Sequence, residues 1–441
     1  MSRYIKQSVF LYTLTVIAAV SLLLTSCGQQ TEETSGNTAV NGLQLDPDNG
    51  GINLPEGLGA FVVAEDLGRG RHVTVRENGD IYIALRQMNN GGGIVALRDT
   101  TGDGRADIKE YFGNVGGTGM QIHNGYLYFA SDLTVYRYEM DANELVPPGE
   151  PEVIATGFPE QGSHAVKPFT FDNQGHIYVN VGAPSNACQE QPRTQGSPGM
   201  DPCPQLEQQG GIWRFQADGL NQDQMEDGYR FATGIRNAVA LDWNPLVNQL
   251  YVAQHGRDQL HELFPDMFTV EDNAQLPAEE LFLVNDGDNF GWPYAYYDHL
   301  QGEKVLAPEY GGDGMTVGRA AEFEDPIMAF PGHWAPNDLL FYTGDLLPEE
   351  YSGGAFIAWH GSWNRAPLPQ AGYNVTFTPF DGEKPSGAYE IFADGFPGTE
   401  TIESTGDAEY RPCGLAEGPD GSLYIVDSNE GKTWRVLPEQ M

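Results

Sequence analysis

One short strand pattern recurs six times along this chain of 441 residues. In each copy a glycine or asparagine turn leads into alternating apolar and mostly aromatic residues: GDIYI at Gly79, GYLYF at Gly125, GHIYV at Gly175, NQLYV at Asn248, GAFIA at Gly354 and GSLYI at Gly421. Such alternation is typical of a pleated strand, and the turn residues tolerate the positive φ of a tight turn. A second strand is predicted after each copy, at residues 94–97, 135–138, 212–215, 281–284, 373–377 and 434–436. The repeats therefore predict six hairpins of one design.

We predict an all-β fold, a six-bladed β-propeller formed by residues 52–441. Apolar residues at helical spacing are almost absent after residue 50, which argues against α/β and helical-bundle folds. Radial repetition also leaves only short, protected sheet edges. A large β-sandwich, or two stacked all-β domains, is the alternative. The uneven spacing of the repeats predicts long insertions between blades, and such loops usually carry function.

The amino-terminal segment is typical of a bacterial lipoprotein signal. An apolar run from Val9 to Leu24 ends in LTSC, so we predict a signal peptide over residues 1–27 with Cys27 as the lipidated cysteine. Gly28 after Cys27 favours the outer membrane, facing the periplasm. An ordinary cleaved signal or an amino-terminal membrane anchor is the alternative. Residues 28–51, rich in polar residues and glycine, are predicted to form a flexible tether.

Net charge and cysteine content limit the classes of ligand that the chain can bind. The formal net charge of -39 argues against nucleic acid and anionic lipid surfaces as ligands. Cys188 and Cys203 flank a loop rich in Pro, Gly and Gln, and an exported protein could cross-link them. Cys413 is then expected to be a single buried cysteine. Metal binding by these three scattered cysteines is not indicated, because they lack ligand spacing.

Several turns near the repeats combine charge with hydrogen-bonding capacity. His164 in SHAVKPFTF could act as a general base, although a structural histidine is the alternative. Arg236 is followed by Asn237 in TGIRNAVALDW, and two further arginines, Arg365 and Arg411, occupy equivalent turns of other predicted blades. Each could form a structural ion pair. Convergence of three arginines in an acidic chain instead predicts a small polycarboxylate ligand.

Two segments could bind a hard cation. In QHGRDQL, Gly256 would let backbone carbonyls approach a ligand or cation closely. In DTTGDGRADIKE, acidic residues stand at calcium-loop positions: Asp99, Asp103, Asp107 and Glu110. Because no helix is predicted on either side of this segment, an acidic hairpin turn is the alternative to a surface calcium site.

An ordered set of motifs resembles the soluble quinoprotein glucose and sorbosone dehydrogenase family, and the sorbosone-dehydrogenase-like branch fits best. The motifs are TGIRNAVALDW with QHGRDQL, PAEELFLVNDGDNFGWPYAYYD, HWAP, AWHGSWNR with AGYNV, and YRPCGLAEGPDGSLYIVD. Together they cover roughly residues 55–438. The resemblance implies a six-bladed propeller that binds pyrroloquinoline quinone over a calcium ion and oxidises sugars at the aldehyde or hemiacetal carbon.

The resemblance also assigns roles to individual residues. His164 would take the substrate hydroxyl proton while hydride passes to the quinone. The residues expected to hold or border the quinone are Arg236, Asn237, Arg365, Arg411, Lys167 and Asp427. The carbonyls of Gly256 and Arg257 would bind calcium, with Gln254 nearby. Lys167 departs from the family arginine, which replaces a two-point contact by a single-point one.

The leading function is therefore a sugar or aldehyde dehydrogenase that depends on pyrroloquinoline quinone and calcium. It would be anchored by lipid in the cell envelope and pass electrons to a respiratory acceptor, a cytochrome or a quinone. Because fold alone does not determine function, two alternatives remain. One is a calcium-dependent lactonase-type hydrolase, and the other is a non-catalytic carbohydrate-binding propeller.

Overall fold

Each sequence repeat forms the middle of one antiparallel sheet, and the described residues contain six such sheets arranged as a β-propeller. The structure is a computed structural model that describes residue 39 and residues 41–440. The first strand is β1 (Leu58–Ala64). Blade 1 follows with β2 (Gly70–Val75), β3 (Ile81–Asn89), β4 (Gly92–Arg98) and β5 (Ile108–Phe112). Blade 2 contains β6 (Met120–His123), β7 (Tyr126–Ala130), β8 (Val135–Glu139) and β9 (Glu152–Thr156).

Blades 3 and 4 carry the insertions that matter for the site. Blade 3 contains β10 (Phe169–Phe171), β11 (His176–Val181) and β12 (Gly211–Gln216), then the short β13 (Gln222–Asp223), which pairs with β9, and β14 (Tyr229–Thr233). Blade 4 contains β15 (Ala240–Asn244), β16 (Gln249–Gln254) and β17 (Glu279–Val284), the separate hairpin β18 (Ala295–Asp298) and β19 (Glu303–Leu306), and β20 (Met328–Phe330). Two short helices lie between β16 and β17, α1 (Leu260–Leu263) and α2 (Val270–Gln275).

The last two blades complete the ring. Blade 5 contains β21 (Pro336–Phe341), β22 (Ala355–Trp359) and β23 (Asn374–Thr378), the small hairpin β24 (Phe380–Asp381) and β25 (Lys384–Pro385), and β26 (Glu390–Ala393). Blade 6 contains β27 (Pro412–Glu417), β28 (Leu423–Asp427) and β29 (Thr433–Pro438). Short 3-10 turns lie at Asn49–Gly51, Pro204–Glu207, Pro308–Tyr310, Gly318–Glu322, Glu349–Tyr351 and Thr405–Asp407.

The prediction of six blades is confirmed. Every repeat copy is the second strand of its blade, and every predicted following strand is the third. These middle strands are apolar because both of their faces pack against neighbouring blades. For example, Tyr128 of blade 2 packs with Ile177 and Phe215 of blade 3, and Tyr251 of blade 4 packs with Ile357 of blade 5. The core therefore lies between adjacent sheets.

The ring is closed by the two ends of the described chain. Strand β1 pairs with β29 and becomes the outer strand of blade 6. Leu45 is buried with Phe61 of β1, and Asp46 accepts a hydrogen bond from the Val62 amide at 2.8 Å. Packed structure thus begins before residue 52, where the sequence analysis expected the tether to end. The predicted signal peptide and Cys27 lie outside the described residues.

The predicted disulfide bond and the predicted single buried cysteine are both confirmed. Cys188 and Cys203 form a disulfide bond, and Cys413 is a buried free cysteine. Among the described helices, none has the length and apolar character needed to cross a membrane.

The first strand of each blade faces the propeller axis. At their carboxyl ends these inner strands enclose a channel of about 870 Å³, which is lined by residues of β2, β6, β10, β15, β21 and β27. Their amino ends meet at the opposite face of the molecule. That face carries the turns that the sequence analysis selected as candidates for chemistry.

Candidate active site

A cavity of about 290 Å³ lies at the amino ends of the inner strands of blades 3, 4 and 5. Turns before β10, β15 and β21 contribute to it, together with the turns that follow β16 and β22. Its lining is Ser163, His164, Arg193, Arg236, His255, Gly256, Asp258, Glu279, His333, Ala335, Ser362, Trp363 and Asn364. Loops on a rigid scaffold are the usual place for binding and catalytic residues. Of the predicted site residues, His164, Arg236 and Gly256 line this cavity.

His164 is held in one tautomer. Its Nδ1 lies 2.6 Å from the carbonyl oxygen of Ala183, and because a carbonyl only accepts, Nδ1 must carry the proton. Nε2 is then left with a lone pair. Burial, aided by the charge of Arg236, lowers the pKa of His164 to about 3, so the ring is neutral at physiological pH. A neutral imidazole with an available Nε2 can accept a proton.

Asp258 connects three cavity side chains. Its Oδ2 accepts from Arg193 at 2.7 Å and from Arg236 at 2.9 Å, while its Oδ1 accepts from Asn364 Nδ2 at 2.7 Å. Burial opposes ionisation of Asp258, but the charges of Arg236 and Arg193 outweigh it and hold its pKa well below the usual range. Asp258 is therefore ionised and fixes both guanidinium groups.

Arg236 is almost completely occupied by the protein. Besides Asp258, its guanidinium donates to the Asn186 carbonyl at 3.2 Å, to Asn186 Oδ1 at 3.0 Å and to the Gly256 carbonyl at 2.8 Å. Only 3% of the side chain is exposed. Such a group presents a fixed positive charge to the cavity.

The cavity carries surplus positive charge. Arg193 and Arg236 share the single carboxylate of Asp258. Glu279 accepts from the amides of Gly256 at 2.7 Å and Ala335 at 3.0 Å, yet burial raises its pKa to about 7. It is therefore only partly ionised at neutral pH. Two guanidinium groups against one full carboxylate favour an anionic ligand.

Two of the predicted arginines do not line this cavity. The Arg365 guanidinium donates to the carbonyls of Ala274 and Pro369. The Arg411 guanidinium donates to the carbonyls of His360 at 3.0 Å and Gly361 at 2.7 Å. Arg236 and Arg193 line this cavity together, while ligand binding by Arg365 and Arg411 stays a prediction.

Asn237, Lys167 and Asp427 also lie outside the cavity lining. A Cβ at Gly182 would meet Asn237 Oδ1 at 2.5 Å and His164 Cβ at 2.7 Å, so Asn237 lies directly behind His164. Lys167 is fully buried and donates to the Ala165 carbonyl, and burial lowers its pKa to about 8. Asp427 accepts from backbone amides, including that of Arg411 at 2.6 Å, and so orders its own loop.

Of the expected calcium ligands, the Gly256 carbonyl and the Gln254 side chain have other partners. The Gly256 carbonyl accepts from Arg236, and Gln254 bonds the Arg236 amide at 3.0 Å and Glu280 at 2.8 Å. The Arg257 side chain pairs with Glu309. Within the described residues, no group of three or more His, Cys, Asp or Glu side chains is placed to hold a metal ion. A calcium site at these carbonyls stays a prediction.

In the Asp99–Glu110 segment, residues 99–107 form a loop ordered by its own amides, and Glu110 lies on strand β5. Asp99 accepts from the Gly102 and Gly104 amides, each at 2.7 Å, and Asp107 accepts from the Thr100 hydroxyl at 2.7 Å. Asp103 accepts from the Arg105 amide at 2.9 Å. These contacts are those of an acidic turn, and calcium binding here also stays a prediction.

Several cavity residues were not predicted from the sequence, although they lie inside its recognisable motifs. Asp258 is in QHGRDQL, Glu279 in PAEE, His333 in HWAP and Asn364 in AWHGSWNR. Their position inside these motifs was a signal that could have identified them as site residues. Arg193 had no such signal, because the insertion that contains it matches no motif.

Arg71 is another missed residue, at the start of inner strand β2. Its Nε is buried without a hydrogen-bond partner among the described residues. Burial and, to a smaller extent, the charges of Arg236 and Arg71 lower the pKa of His255 to about 4. Arg71 therefore adds positive potential next to the cavity, from blade 1.

Backbone strain is concentrated around this cavity. Non-glycine residues with positive φ include His164, Arg193, Gln259, His333 and Ala335, with φ between 51° and 67°. Such conformations cost energy and persist where the surrounding structure fixes them, often at functional sites. The cavity is thus cationic, has a strained backbone and is lined by a neutral histidine.

A family model described as TrAA12-like matches residues 52–438. This chain belongs to the TrAA12-like family. The match covers the whole propeller, from just before β1 to the end of β29.

Curated relatives of this TrAA12-like chain include two named sugar dehydrogenases. It is 28% identical over 212 residues to an uncharacterized protein of Borreliella burgdorferi, covering 48% of this chain and 49% of that protein. It is 26% identical over 194 residues to the pyrroloquinoline quinone-dependent pyranose dehydrogenase of Coprinopsis cinerea, covering 36% and 25%. It is 23% identical over 286 residues to the aldose sugar dehydrogenase YliI of Escherichia coli, covering 63% and 61%. The chain thus spans about half of the first relative and a quarter of the second.

Solved structures share the fold. The holo form of the pyranose dehydrogenase PQQ domain from Coprinopsis cinerea superposes with a TM-score of 0.70 at 17% identity, covering 88% of this chain and 97% of that chain. The PQQ-bound aldose sugar dehydrogenase from Streptomyces coelicolor gives 0.53 at 17% identity, covering 88% and 100%. At this identity the likeness establishes the propeller fold of the TrAA12-like chain.

Proposed function

We propose that this TrAA12-like chain is a pyrroloquinoline-quinone-dependent dehydrogenase that oxidises an aldose or sugar aldehyde. The observation that carries the proposal is the pairing of His164, neutral and with Nε2 available, with the surplus guanidinium charge of the same cavity. The relatives named as pyranose and aldose sugar dehydrogenases support it. We also propose Ca²⁺ as a second cofactor, supported by a calcium structure of a Trichoderma reesei family AA12 protein.

The residues present fit a small ligand that carries carboxylates and carbonyl oxygens. Arg193 and Arg236 supply positive charge beyond what Asp258 neutralises. Arg71 Nε is a buried donor that has no hydrogen-bond partner among the described residues. The fixed charge of Arg236 would stabilise the quinone carboxylates, and the carbonyls of Gly256 and Arg257 would face calcium. When bound, the quinone supplies the acceptor for two electrons.

His164 accounts for the proton in this oxidation. Conversion of a hemiacetal to a lactone removes a hydride from carbon and a proton from the hydroxyl oxygen, and His164 Nε2 accepts that proton. The Ala183 carbonyl keeps Nδ1 protonated, so the imidazolium that forms retains its hydrogen bond. A bound polyanion would offset the charge of Arg236 and raise the pKa of His164 toward the range suited to a general base.

We also propose that the domain is anchored in the cell envelope through a lipid on Cys27 and passes electrons to a respiratory cytochrome or quinone. The support is the apolar run ending in LTSC. Labelling the expressed protein with a radioactive fatty acid checks this, because Cys27→Ala should abolish both labelling and membrane association.

The main experiment combines cofactor binding with turnover. The purified protein is titrated with pyrroloquinoline quinone in the presence of Ca²⁺, and dye reduction is followed with a panel of aldoses. Replacing His164 by Gln should lower turnover by about a hundred- to ten-thousand-fold, the usual contribution of a general base. Quinone affinity should change by no more than a few fold.

His299→Gln is the matched control, because His299 bonds the Gln275 carbonyl and does not line the cavity. It should behave like the unmodified protein. Equal loss of turnover and of quinone binding in His164→Gln would make His164 a structural residue. Failure of the unmodified protein to bind the quinone would contradict the proposed function.

A further inference from the structure

The disulfide-closed insertion delivers one arginine to the mouth of the cavity. Cys188 and Cys203 close a loop, and Arg193 lies within it with φ of 51°. The Arg193 amide donates to Gln189 Oε1 at 3.0 Å, and Gln189 is itself buried and donates to the carbonyls of Thr194 and Ser197. The loop therefore holds Arg193 in a conformation that arginine rarely adopts, which indicates that its side-chain position matters.

Arg193 differs from Arg236 in what it leaves available. Both bind Asp258, but the Arg236 side chain is 3% exposed and the Arg193 side chain 41% exposed. The Arg193 guanidinium donates through its two terminal nitrogens, to Asp258 and to Gln259. Its Nε makes no hydrogen bond within the described residues. Arg236 is thus a fixed internal charge, whereas Arg193 can bind an incoming anion.

An exposed indole lines the same cavity as Arg193. Trp363 lines the same cavity and is 53% exposed. The next residue, Asn364, donates to Asp258 Oδ1, and Arg193 donates to Oδ2 of the same carboxylate. Trp363 thus immediately precedes in sequence a residue that is tied to the same carboxylate as Arg193, and both side chains line one cavity. A solvent-facing indole offers a flat apolar surface for the C–H face of a pyranose ring.

We propose that Arg193 and Trp363 form the substrate subsite, and that it takes a pyranose bearing a carboxylate, such as a uronic acid or the end of an acidic oligosaccharide. The inference rests on the proposed function in assuming that the cavity admits a sugar. The argument is chemical, since the chain has 62 acidic and only 23 basic residues, yet an exposed guanidinium and an exposed indole line this one cavity. Trp363 would pack on the ring, and Arg193 would bind the carboxylate.

The experiment compares D-glucuronate with D-glucose. For the quinone-loaded protein, kcat/KM is measured with both sugars by dye reduction, and the unmodified protein should favour glucuronate. Arg193→Gln should lower kcat/KM for glucuronate by about 10- to 100-fold, as expected for loss of a charged hydrogen bond, with little change for glucose. Arg193→Lys should retain part of the preference. Trp363→Ala should lower kcat/KM for both sugars.

Two further measurements distinguish a role of Arg193 in sugar binding from a role in quinone binding. Quinone affinity of Arg193→Gln, followed by titration, should stay within a few fold of the unmodified protein. Arg230→Gln is the control, because Arg230 is exposed on blade 3 and donates to the Leu206 carbonyl away from the cavity. Its sugar preference should not change.

Three results would overturn the subsite. The first is equal loss for glucuronate and glucose in Arg193→Gln. The second is weaker quinone binding with unchanged sugar preference, which would assign Arg193 to the cofactor. If no sugar is oxidised, the proposed function fails, and calorimetry with glucuronate then decides the subsite by itself. Equal heats for the unmodified protein and Arg193→Gln would be the third such result.

Discussion

At the scale of single residues, Asp258 determines the electrostatics of the cavity. It pairs with Arg193 and Arg236 and also bonds Asn364. Replacing Asp258 by Asn should lower the free energy of unfolding by about 3 kcal/mol at pH 7, because it leaves the buried guanidinium of Arg236 without its counter-charge. Urea unfolding of the two proteins measures this.

The effect of Asp258 should depend on pH in a defined direction. Because its pKa is depressed in the folded protein, its contribution is present above its unfolded pKa of about 4 and is lost as the pH falls below that value. The difference between Asp258→Asn and the unmodified protein should therefore shrink in acid. Asp286→Asn is the control, since Asp286 is exposed and bonds Tyr229. A pH-independent difference would contradict the assignment.

The residue scale also shows how far the site could be predicted. Turns next to the repeats indicated His164 and Arg236 correctly as cavity residues, because motif order places them at strand starts. Arg365 and Arg411 do not line this cavity, and nearby carbonyls accept hydrogen bonds from both, so their predicted role at the ligand stays a prediction. Arg193 could not be found, since a loop held by a disulfide and by Gln189 carries no periodic pattern.

At the scale of elements, side chains of the inner strands connect one blade to the next. Asp242 of β15 accepts from the Phe341 amide of β21 at 2.9 Å, and Asp338 of β21 accepts from the Leu415 amide of β27 at 2.8 Å. Thr170 of β10 accepts from the Trp243 amide at 3.2 Å. Because inner strands of different blades do not pair, these side chains satisfy amides that face the channel.

This arrangement predicts a pH dependence for Asp242. Burial raises its pKa to about 7, so the folded protein holds this proton more tightly than the unfolded chain does. Asp242 therefore makes its full contribution to the free energy of unfolding below about pH 4, and this contribution is lost as the pH rises to about 7. The loss should be roughly 3 kcal/mol, since solvent that reaches the channel weakens the effect.

Asp242→Asn tests this, because an amide does not titrate. In acid, the free energy of unfolding of Asp242→Asn should be lower than that of the unmodified protein, because the Asp242 carboxyl group hydrogen-bonds its neighbours there. The gap should narrow or reverse by pH 7, as measured by urea unfolding at each pH. Asp345→Asn, at an exposed position, should follow the unmodified protein throughout. A constant gap would show that Asp242 does not titrate in this range.

The same strands explain which elements the sequence could predict. The second and third strands of each blade give clear apolar runs because both of their faces are buried between sheets, as in Ile81–Asn89 and Leu423–Asp427. Inner strands such as Ala240–Asn244 carry polar residues toward the channel, which breaks the pattern. Pairing of β1 with β29 joins opposite ends of the chain, and no local signal predicts such a contact.

At the scale of the whole molecule, the dominant property is charge. A formal net charge of -39 on one closed ring of blades creates repulsion that opposes the compact state. Salt screens exposed charges over a distance of about 10 Å at 0.1 M and about 3 Å at 1 M. We therefore expect the melting temperature at pH 7 to rise by several degrees between 0.05 M and 1 M sodium chloride. Differential scanning calorimetry measures it.

Acidification provides the internal control for this prediction. The sequence pI is about 4.3, so near that pH the net charge approaches zero and screening has little repulsion to relieve. The salt-dependent rise should therefore be much smaller at pH 4.5 than at pH 7. A rise of equal size at both pH values would point to a general effect of salt on apolar burial. No rise at pH 7 would mean that the acidic residues are already balanced locally, by ion pairs such as Arg98 with Asp80.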